Sequence, residues 1–264
     1  MLMDGFALFD LDRFVVFTLV LARVGGLTMT APIYGTRETP FQVRCILALA
    51  LALLVAPVQW TTAAVEAGSS IRWVILIAAD LLVGVFFGLG IVFLLSGVQL
   101  AGSLIGRLGG LILADVFDPA TNEQVPMLGR LMHLVALAVF VAIGGHRMVL
   151  GALLDSFQSL PPGCVASTAS MAQVMQELVS ESFVLAVRIS APIVVVLLLS
   201  TLVLGILGRT LPQLNLLGVG FGLNSMLAFG LLAVVLGAGA MAFESQVATT
   251  LERLTDALHV ARQT

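Results

Sequence analysis

Four charged residues interrupt long apolar runs in the sequence: Arg23, Asp80, Arg107 and Arg188. A charge surrounded by lipid costs several kcal/mol unless it is paired or hydrated, and such residues often line proton or ion pathways. They also form structural pairs with helix ends or with neighbouring chains. Asp80 has no second acid beside it to form a proton relay, so the pattern favours structural pairing over a pathway.

No residues have the types and spacing of a catalytic or metal site. His133, His146 and His259 share no repeated metal-ligand spacing, and no serine has a histidine or an acid placed by a motif to activate it. Cys45 and Cys164 are far apart and form no C-x-x-C motif, which argues against a zinc site and a disulfide framework. We therefore predict no catalytic residue, no bound metal and no cofactor.

A glycine motif, G-x-G-x-G, occurs at Gly218, Gly220 and Gly222. Nucleotide binding by such a motif requires a preceding strand in a βαβ unit, whereas the surrounding residues here have the pattern of an apolar helix. We interpret these glycines as sites where helix backbones approach closely, because packing drives helix association in lipid. The same interpretation applies to three further pairs: Gly84/Gly88, Gly102/Gly106 and Gly106/Gly110.

The composition is that of a membrane protein. Of the 264 residues, 59% are hydrophobic and 10% are charged, and the mean hydropathy is +1.12. A soluble domain has about a quarter of its residues charged, so as a soluble fold this chain would expose large apolar patches. The net charge of −3 is too close to neutral to indicate a nucleic-acid partner. We predict a protein embedded in membrane lipid, and a soluble enzyme is disfavoured as a class.

Long apolar runs predict about six membrane helices. A spanning helix needs about 20 apolar residues to cross ~30 Å of hydrocarbon, and seven runs meet or approach that length: 14–30, 43–58, 73–96, 100–116, 127–143, 183–207 and 214–243. We interpret the glycine-rich fourth run as a partial or re-entrant element. Membrane strands would alternate over about ten residues, and helices are the remaining way to satisfy the backbone in lipid. The predicted fold is all-α, with helices forming hairpins.

Two further segments have the spacing of an amphipathic helix. One lies in the longest polar stretch, 156–182, and the other lies in the C-terminal tail. Their apolar residues are Met171, Val174, Met175 and Leu178 in the first, and Val247, Leu251, Leu254 and Leu258 in the second. Each segment fits a helix on the membrane surface, a helix docked on a partner, or a short helix that caps the bundle.

The polar segment 114–125 (ADVFDPATNEQV) separates two apolar runs. Asp118-Pro119 ends a helix within it, because a proline disfavours helical geometry at the residue before it. An irregular segment at membrane depth lines a cavity or faces water, and outside the membrane it is a simple connecting loop. On the residues alone both alternatives stay open.

A series of short motifs runs along the chain. They are Arg23-Val24-Gly25-Gly26, Ala31-Pro32-Ile33-Tyr34-Gly35, Pro40, Arg44, Gln99-Leu100-Ala101-Gly102, Phe117-Asp118-Pro119, Val125-Pro126, Gly145-His146, Ser156-Phe157, Pro161-Pro162-Gly163, Pro212-Gln213-Leu214-Asn215 and Val219-Gly220-Phe221. In this order, over nearly the whole chain, the sequence resembles the FliR family of flagellar export proteins, whose injectisome counterparts are called SctT. The family continues after V-G-F with a proline and then a basic residue, where this chain has Gly222 and Asn224.

The resemblance implies a non-enzymatic subunit of the flagellar type III export gate, in the bacterial inner membrane at the flagellar basal body. It implies a FliP-like part, about 1–208, fused to a FliQ-like C-terminal hairpin and tail, about 182–264. The expected partners are FliP-like, FliQ-like, FlhB-like and FlhA-like subunits. The expected cargo is unfolded flagellar rod, hook and filament protein.

The resemblance also assigns roles to individual residues. Phe117, Asp118 and Pro119, within 114–125, are the expected plug that helps close the pore before secretion. The residues expected to serve assembly are Arg23, Pro32, Gly35, Pro40, Arg44, Gln99, Gly102, Pro212, Gln213, Asn215, Gly220 and Phe221.

A stand-alone secondary transporter or channel for a small solute is the alternative. It is motivated by Asp80 and the intramembrane arginines, and it would need a binding site near the membrane midplane, often between repeated halves. No internal repeat strong enough to name is visible in the sequence. An injectisome in place of a flagellum also stays open.

Overall fold

Seven α-helices account for most of the described chain. The computed structural model describes residues 11–32, 40–60, 70–110, 126–165, 167–210 and 216–263. The helices are α1 (Leu11–Thr30), α2 (Phe41–Gln59), α3 (Ser70–Leu108), α4 (Met127–Ala142), α5 (Gly145–Ser159), α6 (Thr168–Thr210) and α7 (Leu216–Gln263). These ranges contain no strand, and the predicted all-α membrane fold is confirmed.

Five of the described helices are long and apolar enough to cross a membrane: α1, α2, α3, α6 and α7. The shorter helices α4 and α5 are separated by a break at Ile143 and Gly144, and together they count as a sixth span. Gly144 has a φ of +76°, a left-handed conformation that glycine adopts without steric cost. The prediction of about six spans agrees with these helices.

The third and fourth predicted spans are one helix, so their separation was wrong. α3 runs unbroken for 39 residues through the glycines of the predicted re-entrant element. No proline occurs between Ser70 and Leu108, and the glycines provide packing space rather than a break. The helix ends at the turn Gly109-Gly110, where Gly110 has a φ of +79°. The remainder of the predicted fourth span, 111–116, lies outside the described residues.

The connection inside the polar stretch 156–182 is shorter than the sequence indicated. α5 continues to Ser159 and α6 begins at Thr168, so the first amphipathic segment is the start of α6 rather than a separate helix. The physical reason is that no glycine or proline interrupts the chain from Thr168 until Pro192, and Pro192 itself lies inside α6. Met171 and Leu178 are buried on the inner face of this part of the helix.

The chain folds into two compact units, of which the first comprises Met1–Val92, Gly144–Leu178 and Ala248–Thr264. In this unit α1 packs against α2. Apolar side chains from α1, α3 and the end of α5 form its core, and they are at most 1% exposed. These include Leu19, Leu27, Phe87, Ile91, Phe157 and Leu160.

The part of the C-terminal amphipathic stripe that follows Val247 is buried in this first unit, against the chain itself. Leu251, Leu254 and Leu258 are buried, and Leu254 lies so close to α3 that a Cβ added to Gly90 would be 2.7 Å from it. The tail is therefore the last part of α7 rather than a separate short helix, and its apolar stripe packs against the chain's own helices. Docking of this stripe on a membrane surface or on a partner was wrong, because the chain's own helices already cover it.

The second unit comprises Phe93–Ile143 and Val179–Val247. Its core side chains come from α3, α4, α6 and α7, and they include Ile105, Met132, Phe140, Ile193 and Leu197. The predicted close approach at Gly102 is confirmed, since a Cβ there would lie 2.7 Å from the Leu128 carbonyl oxygen of α4. Gly106 contributes to the same crossing of α3 and α4.

Candidate functional site

A pair of opposite charges lies in the core of the first unit: Arg23 on α1 and Asp80 on α3. Both side chains are 0% exposed. The Arg23 Nε donates to Asp80 Oδ1 at 2.8 Å, and the Arg23 Nη2 donates to the same oxygen. Hydrogen bonds between charged groups are roughly twice as strong as neutral ones. The predicted structural role of the intramembrane charges is confirmed for these two residues, but they pair with each other within one chain, whereas the expected partners were helix ends or neighbouring chains.

The same guanidinium caps the C-terminal end of α5. The Arg23 Nη1 donates to the Leu160 carbonyl oxygen at 2.9 Å, and to the carbonyl and hydroxyl oxygens of Ser156 at 3.2 and 3.3 Å. The Arg23 Cζ also lies 4.4 Å from the centre of the Phe157 ring. The last carbonyls of a helix lack intrahelical donors and carry a partial negative charge. The Arg23 guanidinium supplies both hydrogen-bond donors and a positive charge at this helix end.

The turn after α5 closes the site from the carboxylate side. The backbone N–H of Gly163 donates to Asp80 Oδ2 at 3.1 Å. Gly163 has a φ of +87°, which favours glycine because other residues place Cβ too close to the following carbonyl. Asp80 therefore holds Arg23 with one oxygen and the turn with the other.

Glycines at the crossing of α1 and α3 bring the two charges within reach. A Cβ on Gly84 would overlap the backbone carbonyl of Arg23, and a Cβ on Gly26 would lie 2.5 Å from the Leu81 carbonyl oxygen. The two backbones are therefore in direct contact, and a Cβ on Gly88 would overlap the Thr30 side chain and lie 3.0 Å from the Ala31 nitrogen. The predicted close approach at Gly84/Gly88 is confirmed.

This arrangement, which we call the Arg23–Asp80 centre, comprises Arg23, Asp80, Ser156, Leu160 and Gly163. Dehydrating two charges costs several kcal/mol per ion, and their attraction offsets this cost only when the remaining hydrogen-bonding groups are satisfied. Here the guanidinium has acceptors on two sides, and each carboxylate oxygen has a donor. The centre can specify which helices meet and in what register. Neither charged group borders solvent, so the geometry is that of a structural centre.

Known proteins are similar to this chain over most of its length. The family of bacterial export proteins, family 1, matches residues 14–250. The flagellar biosynthetic protein FliR of Escherichia coli is 30% identical over 216 residues, which cover 82% of each chain. The chain belongs to the FliR family. The FliR proteins of Bacillus subtilis and Aquifex aeolicus are each 29% identical, over 94% and 85% of this chain and 96% and 86% of their own lengths.

Three motifs that carried the FliR resemblance meet at the Arg23–Asp80 centre. They are the motif that begins at Arg23, the pair Ser156-Phe157 and the turn Pro161-Pro162-Gly163. Sequence reasoning missed Asp80 as the partner of the arginine. The signal that could have found it is that each charge is isolated in its own apolar run and that their signs are opposite.

Other predicted residues of the FliR family lie at helix ends or at helix crossings. Pro32 follows α1 and Pro40 precedes α2, where the Pro40 carbonyl accepts from the Val43 N–H at 3.0 Å. Arg44 lies in the first turn of α2. Gln99 lies one turn before Gly102 on α3, and its carbonyl accepts from the Ser103 hydroxyl at 3.0 Å. The hydrogen bonds that the structure gives Arg23 go to Asp80, Ser156 and Leu160, and to none of Pro32, Pro40 and Arg44.

The last family motifs, Pro212-Gln213-Leu214-Asn215 and Val219-Gly220-Phe221, lie only partly within the residues that the structure describes. Gly220 lies on α7, where a Cβ would be 3.3 Å from Leu204 of α6, whereas a Cβ on Gly222 would meet nothing within 4 Å. The contact at Gly220 is with a side chain, so among the described residues the predicted close approach of helix backbones is found at neither Gly220 nor Gly222. Phe221 is 38% exposed. The predicted residues outside the described ranges are Gly35, Phe117, Asp118, Pro119, Pro212, Gln213 and Asn215.

The remaining titratable residues form no chemical centre among the described residues. No group of three or more His, Cys, Asp or Glu side chains there could hold a metal ion. His259 lies on α7, with its Nε2 2.9 Å from the Ser159 hydroxyl, while His133 and His146 lie on α4 and α5. Arg107 lines an open groove of the second unit, and Arg188 is exposed on α6.

Asn224, where the resemblance leads one to expect a basic residue, links α6 and α7 in the second unit. The Ser200 hydroxyl donates to Asn224 Oδ1 at 2.7 Å, and Asn224 Nδ2 donates to Thr201 Oγ1 at 3.3 Å. Asn224 is only 9% exposed. Where the family pattern has a charged residue, this chain therefore has an amide, and its oxygen and nitrogen both form hydrogen bonds with hydroxyl groups of α6.

We expect Asn224→Leu to destabilise the α6–α7 pair by about 0.5–1.5 kcal/mol, the range measured for one or two helix–helix hydrogen bonds. The measurement is the thermal unfolding midpoint of the purified chain in detergent. Thr210→Val is the matched control, because the Thr210 hydroxyl bonds only to carbonyls of its own helix. An equal shift in both variants would contradict the link.

Proposed function

We propose that the chain is a structural and gating subunit of the flagellar type III protein export gate in the bacterial inner membrane. The observation that carries the proposal is the family match over residues 14–250, together with relatives that are named flagellar biosynthetic proteins. In this role it helps form the channel through which unfolded rod, hook and filament subunits cross the membrane.

Large exposed apolar surfaces support a role inside a multi-subunit assembly. Among the described helices, α2, α6 and α7 carry many exposed apolar side chains, including Ile46, Leu54, Leu202, Met226 and Val234. Such surface needs lipid or other subunits to cover it. The proposed partners are FliP-like and FliQ-like subunits, with FlhB-like and FlhA-like components. In this proposal about 1–208 is the FliP-like part and about 182–264 is the FliQ-like hairpin and tail.

The gating part of the proposal rests on the polar segment 114–125, which lies outside the described residues. Its Phe117, Asp118 and Pro119 are proposed as the plug that closes the channel at rest. We expect that shortening 117–125 leaves the assembly intact but makes it leak ions or small molecules. Unchanged membrane permeability of assembled complexes would refute this role.

The alternative of a stand-alone solute transporter has lost its main motivation. Asp80 was the acid that pointed to an ion pathway, and it is held by Arg23 and Gly163 in a buried centre. Arg107 and Arg188 remain as charges within apolar runs, and neither lies beside a described acid in an ion pair. No described feature therefore favours the transporter over the gate subunit.

Deletion of the gene in its own bacterium is the test of the export role. We expect loss of motility and loss of hook and filament protein from the culture medium, with both restored by the wild-type gene. The tagged chain should also copurify with FliP-like and FliQ-like proteins. A deletion strain that still swims and exports flagellin would overturn the proposal, and solute uptake by the purified chain alone in liposomes would support the alternative.

A further inference from the structure

One side of α6 in the second unit is apolar and exposed, and a single cation, Arg188, interrupts it. Val184 and Val187 lie on this side before the arginine and Val195 lies on it after the arginine, and each valine is more than half exposed. Residues three or four apart along a helix are neighbours on its surface. We call this surface the Arg188 face, which comprises Val184, Val187, Arg188, Pro192, Val195 and Leu198.

The Arg188 side chain forms no hydrogen bond and no ion pair with any residue that the structure describes. The sequence has no acid within six residues of it on either side. Glu181, the acid that precedes it on α6, accepts a hydrogen bond from Gln246 Nε2 of α7 at 3.1 Å. The guanidinium is therefore available to a group outside this chain.

Pro192 adds a hydrogen-bond acceptor beside the guanidinium. It lies inside α6, and it has no N–H to donate to the carbonyl four residues earlier. That carbonyl belongs to Arg188 itself, and Pro192 is exposed. The face therefore presents donors and an acceptor at one residue. Acyl chains cannot pair with either, because hydrocarbon offers no hydrogen bonds.

A bilayer cannot cover the valines and the arginine together. Residues 189–208 carry no charge and measure about 30 Å at 1.5 Å per residue, the thickness of a hydrocarbon core. If they span it, Arg188 lies at its edge, and Val184 and Val187 project among headgroups and water. If these valines lie in hydrocarbon, Arg188 lies there too, where a charge needs a partner. A protein surface with both apolar and acidic groups would cover the whole face.

We propose that the Arg188 face docks an apolar helix of a different subunit, which carries one aspartate or glutamate opposite Arg188. The valines suit such a contact, because a β-branched side chain has few rotamers to lose and packing drives helix association in lipid. A second copy of this chain does not supply the acid, since the acid within the apolar runs of the described residues is Asp80, which Arg23 holds. The inference rests on the proposed function, because it places the chain inside an assembly.

Photo-crosslinking from the face identifies its occupant, in membranes of the bacterium that makes the protein. A benzophenone amino acid replaces Val187 in the full-length chain, and mass spectrometry identifies the linked peptide. We expect an apolar segment of one other subunit, with an aspartate or glutamate within one helical turn of the linked residue. Adducts with lipid alone, or with a second copy of this chain, would overturn the proposal, and so would a linked segment without an acid.

Charge reversal then tests the ion pair. Arg188→Glu should lower retention of that subunit by the purified chain about thirtyfold, the loss expected when one partner of a buried interfacial charge pair is replaced. Arg188→Lys should keep most of the retention. Exchange of the partner's acid for arginine should restore the retention that Arg188→Glu loses, which excludes misfolding as the cause.

Arg209→Glu is the matched control, because Arg209 lies in the last turn of the same helix. It should leave retention unchanged, and equal loss in the Arg188 and Arg209 variants would show an unspecific effect of charge and refute the contact. If Arg188→Glu retains the subunit at the wild-type level while the deletion strain loses export, the contact is wrong and the export role stands. If the deletion strain still exports flagellin, the export role is wrong, and the linked peptide and the charge exchange still decide the contact.

Discussion

Asp80→Ala is expected to destabilise the first unit by about 3–5 kcal/mol, the usual cost of removing one partner from a buried ion pair. The substitution leaves Arg23 charged, 0% exposed, and without its carboxylate. It also removes the acceptor of the Gly163 N–H. We expect a large fall in the thermal midpoint of the purified chain and loss of the protein from its membrane assembly. Unfolding in detergent and copurification with partner subunits are the two measurements.

Two further variants separate the pair from a general effect of substitution. Arg23→Met combined with Asp80→Ala removes both charges, so it should recover much of the stability that Asp80→Ala loses, because no unpaired charge remains buried. Asp155→Ala, at an exposed acid of α5, should have little effect. If Asp80→Ala is as stable as wild type, or if the double variant is no better than the single one, the buried pair does not hold the helices together.

Gly84→Ala should separate α1 from α3, although it adds only one methyl group. The new Cβ would overlap the carbonyl of Arg23 and lie 2.9 Å from the Leu27 nitrogen. These atoms belong to a helix backbone, so they cannot move aside as a flexible side chain can. Overpacking of this kind costs about 1–3 kcal/mol or more, and here it also pulls Arg23 away from Asp80. The expected result is a lower unfolding midpoint and reduced export in a complementation assay.

Gly25→Ala is the control for this prediction, because a Cβ at Gly25 meets nothing within 4 Å. The same chemical change there should be neutral or raise stability by up to about 1 kcal/mol, since alanine is the better helix former. Equal behaviour of the Gly84 and Gly25 variants would mean that the contact between α1 and α3 is not needed for function.

The sequence was sufficient for the features that depend on local pattern. Apolar runs predicted the helices, and small-residue spacing predicted the close crossings at Gly84 and Gly102. The ends of the helices were harder to predict from the sequence. The glycine-rich run 100–116, which contains Arg107, was interpreted as a separate partial or re-entrant span, whereas α3 continues through its glycines to Leu108, because glycines without a proline let a helix continue where they meet a neighbouring backbone.

The composition of the Arg23–Asp80 centre could be predicted only in part. Two isolated charges in apolar runs indicate that each needs a partner, yet periodicity cannot say which residues pair across 57 positions. The capping of α5 by Arg23 was even harder to predict from the sequence, because the acceptors are backbone carbonyls, which every residue carries. The resemblance placed Arg23, Ser156 and Gly163 among family motifs without saying that they meet.

The order in which the centre's parts are synthesised constrains how the chain matures. The Leu160 carbonyl that Arg23 caps is synthesised 137 residues after Arg23 itself. At about 5–20 residues per second that interval is roughly 7–27 s. During this time the guanidinium needs other acceptors, because a buried charge without partners is too costly. The packing of α1 can therefore become final only after α5 has been made, so it cannot be completed in the order in which the helices are synthesised.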